Sequence, residues 1–377
     1  MTPRGLGTWL LAFFASVSGH ASDLHINHIQ FVGSHNSYKQ AMSGGYRALL
    51  GLINEEAAKA LDYEHPPLQQ QLDAGLRKLE LDVFYQADPA KFPVGHVQVI
   101  DMNSHCTTLR QCLTGLARWS DANPNHEPIW VSFNAKDQKI SWLPDPTPFD
   151  DSAFRAMDRV VERALGERLI RPQDVRPADS TKPVWPRLDQ ARGKFLLILD
   201  EGGAKRDLYA GDWRSRPMFV NVGPEHPGAA VMIVNDPVAD FKRIQTLVNA
   251  GYMVRTRADA DTWEARINDA QRRQAATARH ATARHAAARP AARRAAVFRH
   301  AADGRQARRW QRRRGARHFS ARKTPIANGL SAVVALQVSR QVGVHQPCSA
   351  RTARLSLARG DRTSHRGTAR ALNLQDR

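Results

Sequence analysis

Short apolar runs alternate with longer stretches whose apolar residues recur every three or four positions through the first 270 or so residues. The runs Ile29–Val32, Lys78–Val83, Ile129–Phe133, Phe195–Leu199, Met218–Val220, Val231–Val234 and Met253–Thr256 have the length and character of strands. Between them, Asp150 to Gly166 sets Phe154, Met157, Val161 and Leu165 on one face and stops at a glycine, which predicts a helix. A second helix is predicted from Asp236 as N-cap, with Pro237 in its first turn and Phe241, Ile244 and Val248 as its apolar face. Strand–helix alternation of this kind builds a parallel sheet, and the pattern reads as most of a TIM-type (β/α)8 barrel in the α/β class. An open doubly wound sheet is the alternative, but no glycine-rich phosphate loop follows the first strand.

Polar residues fall at the C-terminal ends of these strands, where barrel enzymes assemble their sites. His35 and Asn36 follow the first strand, Glu80 and Asp82 lie on the second, and Asn134 and Lys136 end the third. Asp200 closes the Phe195 strand, and Arg255 and Arg257 close the Met253 strand. A single histidine at a strand end is more often structural than catalytic. The carboxylates carry more information, because Glu80 and Asp82 are two apart and point to the same face. Two inward charges cost on the order of several kcal/mol unless a cation pairs them. Hard oxygen ligands favour calcium or magnesium, and Asn36 adds a carbonyl oxygen. Pairing with Arg77 or Lys78 is the alternative, disfavoured here because neighbours along a strand point to opposite faces.

Length and charge refine this picture. A chain of 377 residues with 42% hydrophobic content buries a large core. Its net charge of +19 suggests a polyanion binder until the distribution is examined. After Ala270 there are 24 Arg and one Lys against three Asp, so the first 270 residues are slightly acidic and the basicity belongs to a tail. At the other end, Arg4, the apolar run Trp9–Val17 and Gly19-His20-Ala21 read as an export signal over residues 1–22, with a buried N-terminal helix as the alternative. The run is too short to span a bilayer. Cys106 and Cys112 flank a short loop and can pair in an oxidising compartment, although two free buried thiols fit the spacing equally well. Cys348 has no evident partner.

Gly33-Ser34-His35-Asn36-Ser37-Tyr38, then Leu72-Asp73-Ala74-Gly75-Leu76-Arg77-Lys78-Leu79-Glu80-Leu81-Asp82, then Gly95-His96, resemble the calcium-dependent phosphatidylinositol-specific phospholipases C. Lys182-Pro183-Val184-Trp185-Pro186, Arg192-Gly193-Lys194-Phe195 and Arg255-Thr256-Arg257-Ala258-Asp259 extend the likeness, which covers roughly residues 23–275. The resemblance implies a Ca2+ cofactor held by Asn36, Glu80 and Asp82, with Asn134 where similar enzymes often carry a glutamate. Asparagine there removes one negative charge from the site, which Asp137 or Asp200 is placed to restore. The resemblance makes His35 the hydrogen-bond donor to the phosphoryl oxygens and His96 the general acid. Lys136, Arg255 and Arg257 fall to substrate binding. It implies cleavage of phosphatidylinositol to diacylglycerol and a cyclic inositol phosphate by a secreted or periplasmic monomer. The partner expected is a phospholipid at a membrane surface, with no specific nucleic acid. A glycerophosphodiester phosphodiesterase is the nearest competitor, but those enzymes usually show His-Arg where this chain has His35-Asn36.

Residues 276–377 follow a different logic. Thr277-Ala278-Arg279-His280 is echoed by Thr282-Ala283-Arg284-His285, no Glu follows Glu264, and few apolar residues recur at structural spacing apart from Ala332 to Val338. Such composition reads as a disordered basic tail. A polybasic arm that makes the chain a non-catalytic binder of anionic membranes or other polyanions is one explanation. A frameshift in a GC-rich gene is the preferred one, and it removes the expected eighth strand.

Overall fold

The apolar runs become strands largely where the pattern places them. In a computed structural model that describes residues 24–87, 91–278 and 334–337, β1 is Phe31–Gly33, β2 Lys78–Val83 and β3 Ile129–Ala135. They are followed by β4 (Leu169–Ile170), β5 (Phe195–Leu199), β6 (Phe219–Val220), β7 (Val231–Ile233), β8 (Met253–Arg257) and β9 (Val334–Gln337). All ladders among them are parallel. The neighbours run β6–β5–β3–β2–β1–β9–β8–β7, while the two-residue β4 sits beside the start of β5.

Leaving β4 aside, eight strands follow one another in chain order, and the last returns to lie between β8 and β1. That is the strand order of a (β/α)8 barrel. The ring is open at one place: among the described residues β6 and β7 share no ladder, although Asn221 Oδ1 accepts a hydrogen bond from Ile233 N at 2.9 Å. The position of the eighth strand holds Val334–Gln337, from the one apolar run of the tail. Residues 1–22, Cys348 and most of the tail lie outside the described residues.

Side chains alternate across β2, and this alternation divides the core. Leu79, Leu81 and Val83 face outward into a layer with Leu113, Leu116 and Phe154 from the surrounding helices. Lys78, Glu80 and Asp82 take the inner face. A second cluster of Phe31, Trp130, Leu196, Ile198, Phe219 and Met253 fills the interior on the alternate positions of other strands. β1 and β2 approach so closely that a Cβ on Gly33 would stand 2.2 Å from the Lys78 carbonyl oxygen, so only glycine fits there.

The helix predicted after β3 spans Asp151–Leu165. Asp150 Oδ1 caps it by accepting from Ala153 N at 2.8 Å, and Gly166, at φ +48°, ends it. Phe154, Met157, Val161 and Leu165 are all fully buried, each worth about 1.5–3 kcal/mol of burial. The second predicted helix begins later than expected, at Phe241 after Asp240. Asp236 instead ties a preceding turn by accepting from Val238 N and Ala239 N at 2.9 and 3.1 Å. Helices at Gly44–Ile53, Glu55–Ala60, Leu68–Asp73 and Leu109–Ala122 were not expected from the pattern.

Candidate active site

The inner face of β2 supplies a column of three ionisable side chains, two residues apart and all buried. Lys78 Nζ donates to Glu80 Oε2 at 2.5 Å, Ser132 Oγ donates to the same oxygen at 3.2 Å, and Arg255 Nη2 stands 3.8 Å from it. Burial pushes the Glu80 carboxyl up, but Lys78, His35 and Arg255 outweigh it and hold it well below the usual range. Burial also brings the Lys78 amine down to about 8, against the pull of Glu80. The expectation that Lys78 faces away from Glu80 is therefore corrected: the period of two that aligns Glu80 with Asp82 aligns Lys78 with both.

Asp82 is in a different state. Its cation is Lys136 Nζ at 3.5 Å from Oδ2, and the buried Tyr38 hydroxyl lies beside the carboxylate, so that burial and Asp82 together push the phenol up. The β2–β3 register pairs Asp82 with Asn134 and Glu80 with Ser132. Asn36, just past β1, takes a left-handed backbone (φ +47°), which asparagine tolerates better than most residues. Its Nδ2 donates to Tyr63 Oη at 2.9 Å, leaving Oδ1 buried and without a partner. His35 Nε2 lies 3.2 Å from Glu80 Oε1, out of hydrogen-bond alignment. Burial holds the His35 imidazole well below its ordinary range, Glu80 opposes this, and Arg257 and Lys78 add to it. His35 is thus neutral near pH 7.

His96 sits on a loop that folds back on itself. His96 N and Asp101 O are 2.9 Å apart, as are Asp101 N and Val97 O. The turn brings Asp101 Oδ2 to 3.5 Å from His96 Nδ1. Asp101 is buried and also accepts from the buried Lys39 Nζ. Burial raises its carboxyl, but His96 and Lys39 more than offset this and hold it below the ordinary carboxylate range. Beyond the turn, a disulfide joins Cys106 to Cys112, which settles the cysteine alternatives. Neither Asp101 nor Lys39 was expected from the sequence.

These elements meet in one cavity of about 460 Å³ at the C-terminal ends of the strands. His35, Asn36, Asp82, His96, Asn134, Lys136 and Arg257 all line it. Glu80 and Arg255 do not; Arg255 is spent on Asp200 and Asn235, beside Glu80, rather than facing a substrate. Glu201 and Lys205, from beyond β5, form part of the wall.

Among the described residues no three His, Cys, Asp or Glu side chains converge as a metal cluster. The donor set here is different: two carboxylates joined by amide oxygens. Asn36 Oδ1 and Glu80 Oε1 are buried acceptors without hydrogen-bond donors, and Asp82, beside only the Tyr38 hydroxyl and the Lys136 ammonium, keeps acceptor capacity that a hard cation can use.

A family model described as "Phosphoinositide phospholipase C, Ca2+-dependent" matches residues 24–94 and 88–285. The chain belongs to this family. Calcium dependence comes with it, and the oxygen set of this chain fits that ion. Among solved structures, a calcium-dependent phosphoinositol-specific phospholipase C from Pseudomonas sp., a myoinositol complex, is similar at 20% identity, over 67% of this chain and 90% of that one, with a TM-score of 0.45. A Ca2+-dependent enzyme from Streptomyces antibioticus is similar at 18% identity, over 62% and 83%, with a TM-score of 0.44. Among curated proteins, no relative matches the chain.

Proposed function

We propose that this chain cleaves phosphatidylinositol-type lipids to diacylglycerol and a cyclic inositol phosphate. The observation that carries the reading is the unpartnered buried oxygen of Asn36 and the buried Asp82 carboxylate, in one cavity with His35 and His96. When bound, calcium would supply the charge that makes the inositol 2-hydroxyl acidic and stabilises the phosphorane-like transition state, the hydroxyl proton passing to solvent as its oxygen bonds to phosphorus. Asn36, Glu80, Asp82 and Asn134 would hold the ion. His35, neutral, donates an N–H to a phosphoryl oxygen. His96 gives a proton to the glycerol oxygen as its bond to phosphorus breaks, and Asp101 fixes the ring that makes this transfer. Lys136 and Arg257 line the cavity where the phosphate and headgroup lie.

The disulfide supports an oxidising location, secreted or periplasmic, consistent with the leader read from residues 1–22. No helix among the described residues is long and apolar enough to cross a membrane. Product analysis on phosphatidylinositol, with calcium and with EGTA, tests the reaction. Cyclic inositol phosphate formed only with calcium supports it. Release of glycerophosphate from a deacylated lipid, with phosphatidylinositol left intact, overturns it.

A further inference from the structure

The two ends of an asparagine amide have nearly the same shape, so its hydrogen bonds decide which end faces a cavity. For Asn36 that choice is made at Tyr63, a buried residue that lines the cavity and was not expected from the sequence. Asn36 Nδ2 donates to Tyr63 Oη at 2.9 Å, and Oδ1 is the end left without a partner. The hydroxyl that accepts there still holds one hydrogen of its own, and His35 Nδ1 stands 3.5 Å from it. One hydroxyl therefore meets both of the neighbouring residues that the site draws from the end of β1.

The direction of these contacts is fixed from the far end. A neutral imidazole has one N–H and one bare nitrogen. His35 Nε2 lies 3.2 Å from Glu80 Oε1, a carboxylate oxygen that favours the proton on Nε2. Nδ1 is then bare and takes the phenolic hydrogen, and the Tyr63 oxygen takes Nδ2–H of Asn36. Turning the amide over would claim the phenolic hydrogen for Oδ1. His35 would then carry its proton on Nδ1 and set a bare Nε2 against the Glu80 carboxylate. Polarity set at Glu80 passes through His35 and Tyr63 to Asn36.

The Tyr63 ring is itself held in place. The Lys39 ammonium lies 5.4 Å from its centroid, and the His65 ring packs edgewise with centroids 5.5 Å apart. His65 Nε2 donates to the His35 carbonyl at 2.8 Å and His65 N to the Lys39 carbonyl at 2.9 Å, which laces this segment to the loop after β1. We propose that Tyr63 is a positioning residue of the site, whose one hydroxyl both turns Asn36 Oδ1 to the cavity and keeps the His35 proton on Nε2. The role rests on the reading of Asn36 as a calcium ligand and of His35 as the donor to a phosphoryl oxygen.

The test uses the full chain with no lipid present. Nitrogen NMR of protein with labelled histidines should show the His35 proton on Nε2, its signals being those absent from His35→Ala. In Tyr63→Phe the Nδ1 resonance should move downfield, as a bare imidazole nitrogen does when it loses a hydrogen-bond donor. Calorimetric titration with calcium should give an affinity roughly 10–100-fold weaker for Tyr63→Phe than for the wild type. In an Asn36→Ala background the same substitution should change that affinity less than about twofold, because Tyr63 acts on the ion through Asn36. A tyrosine that merely packs would weaken both backgrounds alike and leave Nδ1 unmoved. A wild-type proton on Nδ1 overturns the proposal, and this measurement needs no variant to fold. An unmoved Nδ1 resonance, an unchanged calcium affinity in Tyr63→Phe, or equal losses in the two backgrounds overturn it as well. Failure of the proposed reaction is separate, since it appears as phosphatidylinositol left intact by a wild type whose calcium binding and nitrogen signals persist.

Discussion

Lys78 Nζ and Glu80 Oε2 are 2.5 Å apart, and both side chains are sealed from solvent. A buried ion pair beside the proposed calcium site has two consequences. Glu80 would meet the ion with one oxygen already neutralised, and the pair cannot lose one member cheaply. Lys78→Met should destabilise the fold by about 3–5 kcal/mol in urea unfolding, because it strands a buried carboxylate. The double variant with Glu80→Gln should recover most of that loss, and a double-mutant cycle measures the coupling. Equal losses in the single and double variants would contradict the pairing.

His35→Ala and His96→Ala should each lower turnover of phosphatidylinositol by roughly 10²–10⁴-fold with unchanged unfolding midpoints. Calcium chelation should abolish activity, and added calcium should restore it. Wild-type turnover in either histidine variant removes that residue from the mechanism.

Asp101→Asn keeps the shape of the group beside His96 but removes its charge. If His96 protonates the leaving oxygen, the variant should slow cleavage of a diester with an alkoxide leaving group by roughly 10–100-fold. With a phenolate leaving group, which needs no proton, the effect should nearly vanish. A merely structural Asp101 slows both substrates alike.

What the sequence shows of this site depends on how local the signal is. Glu80 and Asp82 are legible because the two-residue period of a strand fixes their common face. The same period applied to Lys78 gives its pairing with Glu80, but the opposite-face rule holds for Arg77, an odd number of positions from Glu80. Asp101 is a different case: it reaches His96 through a turn whose tip, Val99, has a backbone no propensity favours for valine. The helix Gly44–Ile53 escaped notice because its apolar residues cover more than the inward face, which erases the helical period. Asp236 followed by Pro237 is a good helix start by composition, yet its side chain closes a turn one step before the helix.

Glu201 gives a pH signature. Burial pushes its carboxyl up to about 7, although Lys205 Nζ lies 2.9 Å from Oε2 and Ala135 N donates to Oε1 at 2.6 Å. A carboxyl whose folded pKa is raised contributes stability that is present below its unfolded value and lost as pH rises through the folded one. Relative to Glu201→Gln, the wild type should lose on the order of 1–3 kcal/mol between about pH 4.5 and pH 7. Urea unfolding of both proteins across that range checks the slope, and parallel curves would exclude it.

The Cys106–Cys112 disulfide closes a short loop on the segment that follows His96 and Asp101. Chain entropy assigns such a loop about 2 kcal/mol. Replacing both cysteines with serine should lower stability by that amount and raise hydrogen exchange at Val94 and His105, whose amides bond to Thr107 and Tyr38 across the segment. Unaltered exchange there would mean that the backbone ladder alone holds the segment.

The eighth strand separates the two accounts of the tail. Ala335 pairs with Phe31 on one side and Arg255 on the other, so the Val334–Gln337 backbone is flanked by two strands. Proline cannot donate to a ladder and is excluded from such an interior position. Ala335→Pro should therefore cost roughly 2–3 kcal/mol and expose the edges of β1 and β8, with aggregation as the visible result. Ending the chain after Ala278 should do the same more severely. A tail translated out of frame makes the opposite forecast: the proline is silent, the truncated chain behaves like the full one, and a neighbouring frame of the gene encodes a better strand with acidic residues around it. Thermal unfolding of the proline variant decides between them, because an out-of-frame segment has no reason to share a ladder with Phe31.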